Sequence, residues 1–272
     1  MNRIEKIAAE AEAAKKKLLI PYLVAGDPNL KTTIALMRKL VEQGADIIEL
    51  GIPFSDPSSD GPVIQRGVER ALKKGTTLAQ VLELVAEFRR LDNDTGIVLM
   101  GYLNPIEIMG YQTFAETASA AGVDGVLTVD LPPLEAGELH SLLREKQIDT
   151  IYLVAPTTRA SRLASIIEHC SGYLYYVSLK GVTGAALIDH DSVSANIEKL
   201  RTQTGLPIVI GFGIKDGASA QAMGSLADGI IIGSALVEKI AALADKIDPD
   251  EAVLVETTAV IGEAREALDN IV

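Results

Sequence analysis

The sequence lacks tryptophan altogether and has only one cysteine and three histidines in 272 residues. A single cysteine excludes an internal disulfide, and no pattern of histidine or aspartate beside Cys170 indicates a thiol nucleophile. His140, His169 and His190 do not have the spacing of metal ligands, so the sequence predicts no metal site. Chemistry in this chain must therefore come from other side chains, and carboxylates are the obvious supply.

Long apolar runs and an excess of positive charge are also missing. Apolar segments such as LLIPYLVA (18–25) are too short to cross a bilayer, and the N-terminus has no continuous apolar stretch of the kind a signal peptide needs. The net charge of −12 disfavours nucleic acid or an anionic membrane as a partner. A phosphorylated small molecule stays possible, since backbone dipoles can hold it. We expect a cytoplasmic protein with no nucleic-acid or membrane partner.

The chain does have a regular alternation of apolar strands with amphipathic helices. Strands are predicted at residues 18–25, 47–52, 97–102, 125–130, 149–156, 172–179, 206–213 and 228–236. Strands that are apolar on both faces suit a parallel sheet covered by helices. Three of them follow similar segments, QGADIIEL, AGVDGVLTVD and SLADGIIIGS, in which an aspartate leads into the strand.

Eight strands in strict alternation predict an α/β fold, a (βα)8 TIM barrel. An extra N-terminal helix and an extra helix after strand 2 complete the predicted architecture. No linker composition divides the chain, so we expect one TIM-barrel domain over residues 1–272. An open doubly wound sheet is the alternative, but it would more often carry a glycine fingerprint after its first strand, where PYLVAGDPN has one glycine.

Two carboxylates mark the segment Asp46–Gln65, which reads DIIELGIPFSDPSSDGPVIQ. Glu49 interrupts a buried strand, where an unpaired charge is costly, and Asp60 follows in a loop rich in proline and glycine. Glu49 could simply pair with an amide or a lysine. Because barrel enzymes carry their chemistry at the C-terminal ends of strands, we predict that both residues are catalytic. Burial should raise the pKa of Glu49, and loop closure should bring Asp60 to it. Asp130 ends the fourth strand similarly, but the prolines after it indicate a turn.

Three glycine-bearing loops end the later strands: GVTG (181–184), GFGI (211–214) and GSAL (233–236). Each alone is a weak signal, but glycines at adjacent strand ends and a helix N-terminus together predict a phosphate site near Gly213 and Ser234. The strand ends also offer side chains that suit a flat aromatic ligand, although strand interiors are apolar in any case. These residues are Tyr22, Met100, Tyr102, Leu127, Leu153, Tyr175 and Phe212.

The motifs PYLVAGDP (21–28), ELGIPFSDPSSDGPVIQ (49–65), GVTG and GFGI, in this order, resemble the tryptophan synthase alpha subunit family. The resemblance covers essentially the whole chain. It implies a lyase that cleaves indole-3-glycerol phosphate to indole and glyceraldehyde 3-phosphate, with no cofactor in this chain. It also implies a partner, the pyridoxal-phosphate-dependent beta subunit, which receives indole through a tunnel in an αββα (alpha2beta2) complex.

The resemblance assigns roles to individual residues. Glu49 matches the family's general acid/base, Asp60 matches the aspartate that accepts the indole N–H, and Thr183 matches the threonine that bonds this aspartate on closure. The remaining matched binding residues are Tyr175, Gly184, Gly213, Gly233 and Ser234. The sequence departs from the family pattern in having Leu179 where many members carry a basic residue, Pro133 after strand four, and Met100 in place of a leucine.

Two other classes of function fit the same pattern less well. The second hypothesis, after the lyase, is another phosphate-binding barrel enzyme. A sugar-phosphate epimerase would usually need metal-binding histidines at strand ends, and a phosphoribosylanthranilate-type isomerase would need a different pair of acids. A non-catalytic regulatory subunit that binds phosphate is the third hypothesis. The pair Glu49 and Asp60 argues against it, because such a subunit has no use for two costly carboxylates.

Overall fold

Short parallel strands surrounded by helices make up the computed structural model, which describes residues 2–177, 190–244, 246 and 249–271. The strands are β1 Leu18–Val24, β2 Ile47–Gly51, β3 Gly96–Gly101, β4 Gly125–Thr128, β5 Asp149–Thr150, β6 Tyr152–Val154, β7 Leu174–Tyr176, β8 Ile208–Ile210 and β9 Gly229–Ile232. They pair in the order β5-β4-β3-β2-β1-β9-β8-β7-β6, and every pairing is parallel.

The two strands at the ends of this order are consecutive in the chain. Only Ile151 separates β5 from β6, and its N–H donates to the Val126 carbonyl at 2.9 Å. The break arises because β5 pairs with β4 while β6 pairs with β7. The two pieces are therefore one interrupted strand, the fifth predicted one, and the sheet is a nearly closed barrel with eight positions. This confirms the predicted TIM barrel.

Twelve helices lie within the described residues. They are α1 Arg3–Ala13, α2 Leu30–Glu42, α3 Pro62–Lys73, α4 Leu78–Phe88, α5 Leu103–Met109, α6 Tyr111–Ala121, α7 Gly137–Glu145, α8 Ala160–His169, α9 His190–Arg201, α10 Gly217–Gly224, α11 Ser234–Ala241 and α12 Glu251–Asp269. The expected extra helices are present as α1 and as the pair α3 and α4 after β2. Within the described ranges, no helix is long and apolar enough to cross a membrane.

Alternation along each strand divides the core into two parts. In β7 and the residue before it, Tyr173 and Tyr175 belong to the cluster inside the barrel, whereas Leu174 and Tyr176 pack against the helices. The inner cluster also contains Ile4 of α1, which is fully buried and closes the N-terminal end of the barrel. An inward side chain in the middle of a strand is therefore shielded from water by the ring of strands and by the helices outside it.

The predicted strands extend too far at several ends. Residues 206–213 shrink to Ile208–Ile210 and 228–236 to Gly229–Ile232. At the second site the chain already turns at Gly233, and Ser234 is the first residue of α11. Apolar composition continues across the turn, so the pattern of hydrophobicity alone did not mark where sheet hydrogen bonding stops.

The three similar segments that lead into strands share one structure. In each, the carboxylate of the aspartate before the strand accepts the N–H of a residue on the neighbouring strand at 2.8–2.9 Å, and an arginine pairs with the same carboxylate. The sets are Asp46 with Leu19 and Arg265, Asp124 with Ile97 and Arg89, and Asp228 with Ile208 and Arg201. We call these three sets the aspartate clamps. They tie adjacent strands together at the N-terminal end of the barrel.

Candidate active site

Glu49 points into the barrel because it lies two residues after the inward Ile47. It sits in the middle of β2 rather than at its end as expected, since pairing with β3 continues to Gly51. Its side chain is 0% exposed. The Tyr173 hydroxyl donates to Oε1 at 2.5 Å, and Oε2 has no hydrogen-bond partner among the described residues.

Burial controls the ionisation of Glu49. It raises the pKa of the carboxyl group to about 7, and the hydrogen bond from Tyr173 opposes that rise only in part. A carboxyl group that titrates near neutrality can both give and accept a proton, as the sequence led us to expect.

Asp60 is held at the mouth of the barrel by a second phenol. The Tyr102 hydroxyl donates to Oδ2 of Asp60 at 3.1 Å and accepts the N–H of Ser59 at 3.0 Å. The Gln65 side chain, one turn into α3, donates to the Asp60 carbonyl at 2.9 Å. Burial raises the pKa of Asp60, and the Tyr102 hydrogen bond partly offsets this effect. The loop therefore rests against the barrel with Asp60 turned inward.

Tyr22 lies near both acids. It pairs with Glu49 in the register of β1 and β2, and its ring is almost completely buried. Burial and then the nearby carboxylates of Asp60 and Glu49 raise the pKa of its hydroxyl well above the ordinary value. Two negative charges separated by eleven positions in sequence thus act on one phenol.

The predicted aromatic pocket is small in this conformation. Four predicted residues, Tyr22, Asp60, Met100 and Tyr102, line a cavity of about 10 Å³, together with residues the sequence did not single out, such as Phe54. That volume is room for about one water molecule. The Phe54 ring lies 5.4 Å from the Tyr102 ring, so the loop itself fills the pocket. A larger ligand requires the loop to move outward.

The other predicted pocket residues lie in the barrel interior or in a loop at the C-terminal end of the barrel. Leu127 and Leu153 belong to the inner cluster, and Leu153 pairs with Tyr175 between β6 and β7. Phe212 is half-buried in the loop after β8. Leu127 and Leu153 thus share the barrel interior with Glu49, and none of the three lines the small cavity.

Two of the three glycine loops that were predicted to bind phosphate lie within the described residues. Gly213 has φ of +73°, a conformation that favours glycine, and its position is exposed. Gly233 precedes α11 without a side-chain cap, and Ser234 is the exposed first residue of that helix. The first N–H groups of α11 thus lack intrahelical acceptors, as at any helix start. Thr183 and Gly184, with Leu179, lie outside the described residues.

Tyr173 is the important residue that the sequence reading missed. The available signal was the alternation in GYLYYVSL, which places Tyr173 and Tyr175 on one face of the strand. Asp130 lies in the turn after β4, and its side chain caps a different element: Oδ1 accepts the N–H of Leu103 at 2.8 Å at the start of α5.

A cavity of about 620 Å³ lies at the opposite end of the barrel, under α1. Three of the four cations that line it are engaged: Lys16 pairs with Asp46, Lys17 donates to the Ala227 carbonyl, and Arg201 pairs with Asp228. Glu49 and Asp60, whose pKa values burial raises and which have no cationic partner among the described residues, lie towards the other end, so we place the candidate active site there. In the described part of the chain, no group of three or more His, Cys, Asp or Glu side chains could hold a metal ion.

Comparison with known proteins gives one consistent result. The family model described as "Tryptophan synthase alpha chain" matches residues 8–268. The tryptophan synthase alpha chain of Marinobacter nauticus is 52% identical over 271 residues, covering 100% of this chain and 99% of that protein. That of Laribacter hongkongensis is 54% identical over 269 residues, covering 99% of this chain and 100% of that protein.

Solved structures agree with the sequence comparisons. The tryptophan synthase subunit alpha of Legionella pneumophila superposes with a TM-score of 0.92 at 43% identity, and the match covers 100% of both chains. A tryptophan synthase chain from M. tuberculosis superposes with a TM-score of 0.85 at 32% identity over 98% of this chain and 100% of that one. The chain therefore belongs to the tryptophan synthase alpha chain family, lyases that form part of a tryptophan synthase complex and catalyse its indole-3-glycerol phosphate cleavage half-reaction.

Proposed function

We propose that Glu49 and Asp60 are the catalytic residues with which this chain cleaves indole-3-glycerol phosphate. The observation that carries the proposal is the environment of Glu49, a fully buried carboxyl group with one free oxygen and a pKa of about 7. A group of this kind suits a reaction that needs both an acid and a base at neutral pH.

The reaction moves one proton from oxygen to carbon. Glu49 in its neutral form gives a proton to C3 of the indole ring, which makes the ring a positively charged indolenine. The resulting carboxylate helps to remove the proton of the hydroxyl group on the adjacent side-chain carbon. The carbon–carbon bond then breaks, its electrons neutralise the ring, and the carbinol becomes the aldehyde of glyceraldehyde 3-phosphate.

Asp60 serves this chemistry through its negative charge. As a carboxylate it accepts the indole N–H and stabilises the positive charge that develops on the ring. Its position beside Tyr102, at the edge of the cavity that Tyr22 and Met100 line, supports this role. The loop that carries Asp60 must open to admit the ring and close again before the reaction.

Phosphate binding is assigned to the glycine loops of the later strands. Backbone N–H groups near Gly213 and at the start of α11, with the Ser234 hydroxyl, form the described part of the cup. Gly184, which the family resemblance also assigns to phosphate binding, lies outside the described residues. A Cβ added at Gly233 would lie 3.6 Å from the Tyr22 ring, an ordinary contact. Gly233→Ala should therefore fold normally, so a higher KM in this variant would report on phosphate binding.

The partner is the beta subunit, which holds the pyridoxal phosphate. Two large apolar side chains, Ile108 of α5 and Leu134 in the loop after β4, are 81% and 84% exposed. Both segments follow the C-terminal ends of neighbouring strands, and the bond from the Leu103 N–H to Asp130 joins them. Exposed apolar residues at one end of the barrel fit a docking surface beside the site that releases indole.

The test is indole formation from indole-3-glycerol phosphate by the purified chain, with and without a beta subunit. We expect slow formation by the chain alone and faster formation in the complex. The pair Ile108→Asp and Leu134→Asp should remove the stimulation, while Leu91→Asp, at a similarly exposed leucine elsewhere, serves as the matched control. Absence of indole under both conditions would refute the proposal.

A further inference from the structure

Tyr173 reaches Glu49 from the opposite wall of the barrel. In the eight-position ring, β7 lies four positions from β2 in either direction. Tyr173 directly precedes β7, is 0% exposed, and points inward with Tyr175. Its hydroxyl therefore crosses the barrel interior to donate to Oε1 of Glu49 at 2.5 Å.

We propose that Tyr173 is the positioning residue of Glu49: it occupies Oε1 and so leaves Oε2 as the single oxygen that exchanges protons with the substrate. The inference rests on the proposed catalytic role of Glu49 and makes it more specific. It concerns which oxygen acts and what holds the carboxyl group in place.

The hydrogen-bond arrangement decides where the proton resides. A carboxyl group carries its proton on one oxygen, and Oε1 is already an acceptor in the bond from Tyr173. The proton of neutral Glu49 therefore belongs on Oε2, which is buried and has no partner among the described residues. A flexible side chain with two equivalent oxygens becomes a donor with one defined direction.

The groups around Glu49 leave this bond as its main specific contact. Tyr22 faces it from β1 and Tyr175 from β7, while its partner on β3 is the apolar Val98. Asp60, in the loop after β2, acts on the same two phenols. Burial raises the pKa of Glu49 to about 7, and the Tyr173 hydrogen bond is the influence that lowers it. Loss of the Tyr173 hydroxyl should therefore raise the pKa further.

The experiment compares Tyr173→Phe with Tyr176→Phe. Both variants lose one buried phenolic hydroxyl, but Tyr176 lies on the outer face of β7, away from Glu49. In each variant, and in the unaltered chain, the Glu49 carboxyl is titrated by infrared difference spectroscopy, with Glu49→Gln used to assign its band. The pH dependence of kcat/KM for indole formation is measured in parallel.

We expect Tyr173→Phe to shift the Glu49 titration and the acidic limb of the rate profile upward by about one pH unit. Turnover should fall about tenfold, and Tyr176→Phe should leave both midpoints in place. An unchanged Glu49 titration in Tyr173→Phe would overturn the proposal, even if the variant were slow, because it would make Tyr173 a packing residue only.

A second variant tests the proposal if Tyr173→Phe folds poorly. Site-specific replacement of Tyr173 by 3-fluorotyrosine keeps the ring and makes the hydroxyl a stronger donor, so the Glu49 midpoint should move downward. No movement in this variant would also overturn the proposal. If Glu49→Gln proved as active as the unaltered chain, the proposed function would fail, while the infrared titration would still report the Tyr173 bond on its own.

Discussion

Two carboxylates buried at different depths of the barrel, Asp124 and Glu49, have opposite kinds of partner. At the N-terminal end, Asp124 is 3% exposed and is bonded to Arg89, to Arg3 and to a backbone N–H. In the barrel interior and at its C-terminal mouth, Glu49 and Asp60 bond to phenols, and neither forms an ion pair within the described ranges. Asp124 and Glu49 are both buried, but their partners differ. A cation makes a buried acid structural, whereas a neutral donor leaves it able to change protonation.

Glycine helps to build the clamps at the N-terminal end. Gly44 and Gly122 have positive φ, and a Cβ at either would lie within 3 Å of the Cγ atom of Arg265 or Arg89. The arginine side chains thus pack directly over these turns. The Gly122 carbonyl also accepts from Nε of Arg89 at 2.9 Å, which fixes the guanidinium beside Asp124.

The largest expected effect is at the C-terminal end, in Glu49→Gln. Loss of the proposed proton-transfer group should lower the turnover of indole-3-glycerol phosphate by about 10³-fold. Substrate affinity should change little, because the glutamine is almost the same size. Steady-state kinetics and binding of a non-reactive substrate analogue separate the two effects. A large loss of affinity with normal turnover would place Glu49 among the structural acids.

The matching change at the other end is Arg89→Met. Removing the guanidinium leaves Asp124 with only the more exposed Arg3 as its cation, and it also removes the bonds from Arg89 to the carbonyls of Gly122 and Thr95. The free energy of unfolding should therefore fall by about 3 kcal/mol. Denaturant unfolding measures the loss, and kcat/KM for indole formation should stay within twofold at a temperature where the variant is folded. The double variant with Asp124→Asn should recover part of the stability. A catalytic defect as large as that of Glu49→Gln would remove the distinction between the two ends.

The ionisation of Glu49 predicts how the free energy of unfolding changes with pH. Its pKa in the folded chain, about 7, is above the ordinary value of 4.5, so the folded state holds the proton more tightly than the unfolded chain. The associated stability is complete below pH 4.5 and is lost as pH rises to about 7, a change of about 3 kcal/mol. Unfolding measured from pH 5 to 8 should show a decline that is larger in the unaltered chain than in Glu49→Gln by about this amount.

The smallest expected effect is in Arg201→Met, at the most exposed of the aspartate clamps. Arg201 and Asp228 are 44% and 31% exposed, so water already screens the pair. The stability loss should be below about 1 kcal/mol. Comparison with Arg89→Met under the same conditions tests whether burial, rather than the ion pair as such, sets the strength of a clamp. Equal losses would contradict that explanation.

Much of the fold followed from local patterns in the sequence. Apolar strands of even spacing predicted the barrel, and the isolated acid in IIELGI led to Glu49. The repeated aspartate before β2, β4 and β9 was visible as a pattern. Its ion pairs were not, because an arginine such as Arg265 lies far from Asp46 in sequence. The ends of the later strands were misplaced, since hydrophobicity does not record where a hydrogen-bond ladder stops.

By itself the sequence determined which residues face inward and which loops carry glycine, because both depend on alternation and on backbone freedom at single positions. Only the tertiary structure decided what each acid does. Tyr173 and Glu49 are 124 residues apart, and closing the ring of strands is what places them on opposite walls of one narrow interior. The same closure brings arginines to the aspartates at the other end. Long-range proximity fixes which buried charge is neutralised, and no local pattern records it.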